Sequence, residues 1–593
     1  MTRLSSPVQN IKDRYQIVVV GSGYGASIAA SRLARSGQSL CLLERGRELR
    51  PGEYPDTWSE AAAEVQAQLP DGQVGDRTAL FDFRIGHDLS VLVGCGLGGT
   101  SLINASVCLR ATPEVLTQAE WPQAIRSEAA AHGLDPYYRR AEAMLGCTPY
   151  PQDAPPLRKL QAQQQSAQAL GKPLVRPPLA VSFRRGVNAA GVTQAACSLC
   201  GDCVTGCNYG AKGTTLMNYL PDAHRHGAEI FTEVEVRHIE RDADGDGWRV
   251  YFDRIGPARE IFGPQRPYVR AAIVVLAAGA LGSTEILLRS QQRGLSLSPR
   301  LGARFSGNAD FVGFAYDCRQ PVNGIGAGAH APRGRDPVGP CVTSYIDLRD
   351  AAADRPGLIV EEGSIPGALS SIVPVALGLA SDIEGQPAPA SLWDRLKATL
   401  RAVQSDLFGA YSGAVQHTQT YLVMGQDRDS GQLRLVDDRL RVQWPGIAKS
   451  PLFATISQTL AQVAEPLGGT YLKEPLWNRW TREQLITVHP LGGCAMADDA
   501  TQGVVNHLGQ VFAGSAGEAV HAGLYVIDGS TVPVPLGVNP LLTICALAER
   551  SCERIAAEHG WTIDAARPSA TGGEDAAATL GVQISEQLDG VWV

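Results

Sequence analysis

The chain has 593 residues, 44% of them hydrophobic and 19% charged, with a formal charge of -8. That length predicts two or more substantial units, and the composition is that of a globular protein rather than a disordered one. The mild charge, with no long run of Lys or Arg, excludes the electrostatic footprint of a nucleic-acid binder. No apolar run reaches the roughly 18 residues of a membrane span. The N-terminal MTRLSSPVQNIKDRY lacks the apolar core of a secretory signal, so a cytoplasmic protein without a transmembrane segment is expected.

From the N-terminus, an apolar run over Gln16 to Val20 leads into GSGYGAS, a helix-like ASIAASRLARSG and a second apolar run, SLCLLERG. This is the pattern of strand, turn, helix and strand. Gly21, Gly23 and Ala26 meet G-x-G-x-x-A, and Glu44 closes the second strand. The first glycine makes the tight turn and the second lets backbone touch a pyrophosphate. The small Ala26 lets the helix pack on the sheet, and Glu44 can accept from a ribose hydroxyl. Dinucleotide binding is therefore expected.

Residues 50–87 read as mixed and loop-like, and a second glycine cluster follows in HDLSVLVGCGLGGTSLINASV. Ile230 to Arg237 and Trp248 to Phe252 read as strands joined by a DADGDG turn. Ile273 to Ala278 reads as a buried strand feeding the helix of AAGALGSTEILLRS. Between about 301 and 484 the pattern changes to longer mixed segments, with SSIVPVALGLA as a helix and QLRLV and LRVQW as strands around a DD turn. LYVIDGSTVPVPLGVNPLLTICALAERSCERIA then reads as strand, loop and helix, and the tail beyond about 566 as loosely packed.

Taken in order, the fingerprint at Gly21, GCGLGGTSLIN, AAGALGSTEILL, VHPLGGC and the LYVIDGSTVPVPLGVNPLLTICALAER segment resemble the glucose-methanol-choline (GMC) oxidoreductase family. The resemblance covers most of residues 15–557 and leans toward the bacterial cholesterol oxidase branch. It implies an α/β fold in which a Rossmann-like FAD-binding domain occupies mainly 1–300, with a loop insert around 150–215. An inserted α+β substrate-binding domain, a β-sheet with helices, would span mainly 301–484, with a return to the FAD domain over 485–566 and a tail over 567–593. The resemblance also implies Gly98, Gly99 and Asn104 against the flavin and the backbone of Val236 at the adenine. Asp528, Gly529, Asn539 and Pro540 would complete the FAD contacts.

Oxidising an alcohol requires removal of the hydroxyl proton and of a hydride from carbon, so hydroxyl and carbon must be held at separate points. His489 in TVHPLGG and Asn539 in GVNPLLT match the family's pair at the flavin face. A histidine can accept or orient the hydroxyl proton, and an asparagine amide can position the same oxygen. Glu361, in LIVEEGSIPGA, resembles the glutamate with which cholesterol oxidases shift a steroid double bond. Glu362 is adjacent, and strand alternation leaves open which of the two faces inward.

In ACSLCGDCVTGCNYGAK, Cys197, Cys200, Cys203 and Cys207 have the C-x2-C-x2-C-x3-C spacing of bacterial ferredoxins, with Asn208 where proline would follow. Zinc is less favoured, because no second C-x-x-C pair completes a site. The expectation is a [4Fe-4S] cluster that passes electrons to an external acceptor protein or small carrier. The alternatives are an oxygen-using oxidase without a cluster, or a non-redox lyase or decarboxylase on the same scaffold.

Overall fold

A computed structural model describes residues 2–563 except 244, 256–265, 350–356, 385–400, 402–403, 406–408, 428–429 and 475–483. The expected tail from 567 lies outside the described residues.

Arg14–Val20 is a central strand because its apolar run is buried on both faces, as parallel sheets require. It pairs in parallel with Leu40–Leu43 on one side and Tyr268–Leu276 on the other, placing Val18 opposite Cys41 and Val274. Glu229–Phe231 extends the sheet beyond Leu40–Leu43, and Val520–Val526 joins Tyr268–Leu276 in parallel. Trp248–Arg254, Val234–Arg241 and Gln510–Phe512 complete eight strands. The run read as one strand from Ile230 to Arg237 is thus two. Glu233 takes φ 59° between them, and the chain leaves its parallel neighbour to form an antiparallel hairpin.

Helices Tyr24–Ala34 and Leu541–Glu558 pack against each other beside this sheet. Arg32 clamps the buried Glu549 through two hydrogen bonds of 2.8 and 2.7 Å. The C-terminal helix therefore returns to the nucleotide fold.

A second sheet has six strands, in the order Thr470–Lys473, Phe311–Tyr316, Gln419–Met424, Ile359–Gly363, Tyr345–Asp347 and Leu174–Val175. Its last strand and the helix Arg158–Ala169 packed on it come from the stretch assigned above to the FAD domain. Gln163 donates to the Val360 carbonyl at 2.8 Å, and Lys159 pairs with Glu362 at 2.6 Å, both side chains fully buried. These buried polar groups of the helix find partners on the strand Ile359–Gly363, which ties the segment to this sheet.

Residues 50–87, read as loop-like, contain three strands of a five-stranded sheet: Val65–Leu69, Gly72–Val74 and Phe81–Arg84. They are short, two carry glutamines and the third carries Asp82 and Arg84, which hid the alternation. The buried Asp82 is flanked by Arg84 and Arg45; burial opposes its ionisation, but the two guanidiniums outweigh it and hold its carboxyl near 2. The expected QLRLV and LRVQW strands form a hairpin turned by Asp437 and Asp438, both at positive φ. Among the described residues no helix is long and apolar enough to cross a membrane.

Candidate active site and cofactor cavity

The parallel strands end at a cavity of about 830 Å³ that runs from Gly21 and Glu44 to His489 and Asn539. Its first end is shaped by glycine. A Cβ on Gly21 would lie 2.4 Å from the Ala277 carbonyl oxygen, and Gly21 has φ 98°. A Cβ on Gly25 would lie 1.7 Å from the Ile527 carbonyl oxygen. Around Gly23, by contrast, an added Cβ would meet no protein atom within 4 Å, and Gly23 lines the cavity. Backbone N–H groups at the start of helix Tyr24–Ala34 thus border open space, which suits a pyrophosphate. Gly25 makes the closest approach to the neighbouring chain, a role the sequence reading gave to Ala26, which is fully buried.

Glu44 accepts from the Ser22 hydroxyl at 2.5 Å and from the Gly46 N–H at 2.7 Å. Burial raises its pKa against those bonds. Val236 lines the same end at a bulge in its strand, where backbone is released from regular pairing. Asp528 accepts from Gly279 N–H, the Ser283 hydroxyl and Ser530 N–H, at 2.9, 2.5 and 2.8 Å. Gly99, Gly529 and Pro540 also face the cavity, whereas Gly98 packs behind it and donates to the Ser22 hydroxyl at 2.9 Å. Asn104 lines the wall and donates to the Tyr24 hydroxyl at 2.8 Å.

At the other end one turn holds both expected reacting residues. Asp310 accepts from His489 Nδ1 at 2.7 Å and from the N–H groups of Val488 and His489 and the Thr487 hydroxyl at 2.8, 3.1 and 2.8 Å. Two residues earlier, Asn308 donates to the Val538 carbonyl at 3.0 Å and accepts from Leu536 and Gly537 N–H, both at 2.9 Å. Those residues form the loop that presents Asn539. Asn308 and Ala309 are at positive φ, and Asp427 braces the turn by accepting from the Ser306 hydroxyl and from Gly307 and Ala309 N–H, at 2.6, 3.1 and 3.2 Å. Burial lifts the Asp427 carboxyl to about 6. Sequence reading missed Asn308, Asp310 and Asp427 because SGNAD and the lone Asp427 match no motif; only the density of polar residues in an apolar region hinted at them.

A carboxylate only accepts, so Asp310 fixes the proton of His489 on Nδ1 and leaves the Nε2 lone pair available. His489 and Asn539 both line the cavity, and the buried Asn539 Oδ1 has no protein partner. Glu361 and Glu362 separate by alternation. Glu361 accepts from Asn539 Nδ2 at 3.4 Å, keeps one oxygen unpartnered and is pushed up to about 8 by burial. Glu362 faces away, toward Lys159 and Thr343. Glu474 lies behind the site; it accepts from Ile486 N–H at 2.9 Å, its second oxygen is unpartnered, and burial raises it to about 8.

The cysteine loop does not have the form of a cluster site. Among the described residues no three His, Cys, Asp or Glu side chains converge as a ligand set. The loop is instead knitted into its surroundings by other groups. Asp202 accepts from Gly328 and Gly367 N–H at 2.9 and 2.7 Å, and Asn208 from Gly52 and Tyr54 N–H at 3.0 and 2.9 Å. The Cys203 sulfur accepts from Cys341 N–H at 3.4 Å, and burial raises Cys197 to about 11 and Cys203 further. Among the described residues the four cysteines thus do not form the converged ligand set expected for a [4Fe-4S] cluster.

Comparison with known proteins gives a consistent result. Residues 16–306 and 452–548 match two models described as GMC oxidoreductase. A cholesterol oxidase of Acinetobacter baumannii is 27% identical over 92% of this chain and 95% of its own length. One from Mycobacterium tuberculosis is 26% identical, over 91% of each chain. A long-chain-alcohol oxidase of Arabidopsis thaliana is 24% identical over 92% of this chain and 68% of its own length. Among solved structures, a pyridoxine 4-oxidase from Mesorbium loti superposes with TM-score 0.59 at 18% identity, covering 92% of this chain and 99% of that one. A fungal aryl-alcohol oxidase gives 0.56 at 14%, covering 93% and 100%. These two show the shared fold.

Proposed function

The chain belongs to the GMC oxidoreductase family, and from that premise we propose that it is an FAD-dependent oxidase of a bulky apolar alcohol, sterol-like or long-chain, with oxygen as electron acceptor. The observation that carries this reading is the convergence, on one cavity, of a histidine held by a carboxylate, an asparagine with a free amide oxygen and a glycine-lined nucleotide end. Val107, Val204, Val312, Val342, Pro366 and Leu369 give the cavity apolar walls, which favour a hydrocarbon-rich substrate.

FAD, when bound, supplies a two-electron hydride acceptor. His489 takes the hydroxyl proton on Nε2, and Asp310 stabilises the imidazolium so formed. Asn539 orients the reacting oxygen, while the apolar walls exclude water and strengthen both interactions. Oxygen is favoured over a carrier protein by the named oxidases among the relatives.

Anaerobic mixing of purified protein with a sterol or a long-chain alcohol should bleach the flavin, and aerobic turnover should yield one hydrogen peroxide per alcohol consumed. Turnover without bleaching would point to a lyase and overturn the reading. Bleaching without peroxide would overturn oxygen as the acceptor.

A second reading adds a double-bond shift in an unsaturated ketone product. Glu361, buried beside Asn539 with one oxygen free, would take a proton from the carbon between carbonyl and alkene and return it at the far end. Glu361→Gln should then release the unshifted ketone while oxidation continues. Equal product ratios from both proteins would exclude this role.

A further inference from the structure

Lys212 is the one member of the cysteine-loop segment whose side chain is buried as a cation. Its Nζ donates to the carbonyls of Leu102, Asn104 and Cys203 at 3.0, 2.6 and 3.0 Å, which uses all three ammonium protons. The titratable groups that face it are the thiols of Cys203, Cys207 and Cys341, and among the described residues no carboxylate reaches it. Burial pushes the Lys212 ammonium down to about 8, so it is a cation at neutral pH, and no carboxylate among the described residues offsets its charge.

The direction of that field follows from the wall it sits behind. Ile103, Asn104, Ala105, Val204 and Thr205 line the cavity, and two of the three carbonyls that hold Lys212 belong to the same backbone turn, Leu102 to Asn104. The nucleotide end is marked by Gly21 and Glu44 and the reacting end by His489 and Asn539, and this turn lines the same cavity, so a dinucleotide bound along it would lie against the turn. A flavin bound there would gain negative charge on reduction, and a cation behind the wall would favour that reduced form.

We propose that Lys212 is a positioning residue of the oxidation, one that pins the Leu102–Asn104 turn against the cofactor and raises the reduction potential of bound FAD. This rests on the reading of the cavity as an FAD site, and the test separates the two. Lys212→Met and Lys212→Gln remove the charge, and Lys212→Arg retains it. At a fixed solution potential, the ratio of reduced to oxidised flavin should fall tenfold or more in the neutral variants, about 30 mV for a two-electron couple. Lys212→Arg should stay within about threefold of the parent.

Neutral variants that hold FAD at the parent potential would overturn the proposal. If neither neutral variant holds FAD, the parent decides: its bound flavin must have a higher potential than free FAD, and an equal or lower one overturns the proposal. A parent that purifies without flavin and takes up none when FAD is added overturns the FAD reading, and the proposal falls with it.

Discussion

Asn308 and Asp310, two residues apart in one turn, hold opposite sides of the reacting end: Asp310 binds His489 Nδ1 at 2.7 Å, and Asn308 bonds three backbone groups of the loop that carries Asn539. The distance between proton acceptor and amide is thereby set by a rigid turn, itself tied to Asp427. Arrangements of this kind determine rate more than affinity.

Asp310→Asn keeps the size of the side chain but removes the acceptor that fixes the His489 tautomer. We expect kcat to fall by about two to four orders of magnitude with FAD still bound. Stopped-flow bleaching beside a flavin absorbance spectrum measures both, and a loss below about threefold would remove Asp310 from the mechanism.

Asn308→Ala strands the N–H groups of Leu536 and Gly537 in the interior, each at a cost of about 1 to 3 kcal/mol. A lowered melting temperature and a slower half-reaction should appear together. Parent-like bleaching rates in a destabilised variant would assign Asn308 to stability alone.

Gly23→Ala and Gly25→Ala should differ in kind. At Gly25 the new methyl meets the Ile527 carbonyl, so the protein should be destabilised whether or not FAD is present. At Gly23 the methyl enters open cavity, so the apoprotein should melt as the parent does while FAD affinity drops. Calorimetry of apoprotein and FAD titration distinguish the two.

Stability should decline as pH rises from about 5 to 8. Glu474 keeps its proton to about 8, whereas in the unfolded chain it would lose it near 4.5, so the native state binds the extra proton between those values. Each such group weakens folding by about 1.4 kcal/mol per pH unit there. Glu361 acts in the same direction. Glu474→Gln should flatten the slope of denaturant stability against pH, and an unchanged slope would refute the assignment.

The nucleotide end was legible because its physics is local: a turn, a close approach and a carboxylate at a strand end are all encoded within residues 16–44. His489 and Asn539 were legible through the family resemblance, and the structure brings both to one cavity. Asn308, Asp310 and Lys212 were not, because each acts through partners distant in sequence: Asp310 and His489 are 179 positions apart. The cysteine spacing is not matched by a converged ligand set among the described residues, for a related reason. Spacing describes what a loop could wrap, while Asp202, Asn208 and Lys212 determine the path it takes. Likewise, nothing in Leu174–Val175 announces that it serves the second sheet rather than the first.

That short strand makes the two halves of the molecule inseparable by simple excision. A fragment cut at residues 301 and 484 would lose the edge partner of Tyr345–Asp347 and the helix whose Lys159 neutralises Glu362. It would expose an unpaired strand edge beside a buried lone carboxylate, which favours aggregation over independent folding. Any grafting of this six-stranded sheet onto another protein must therefore carry residues 158–175 with it.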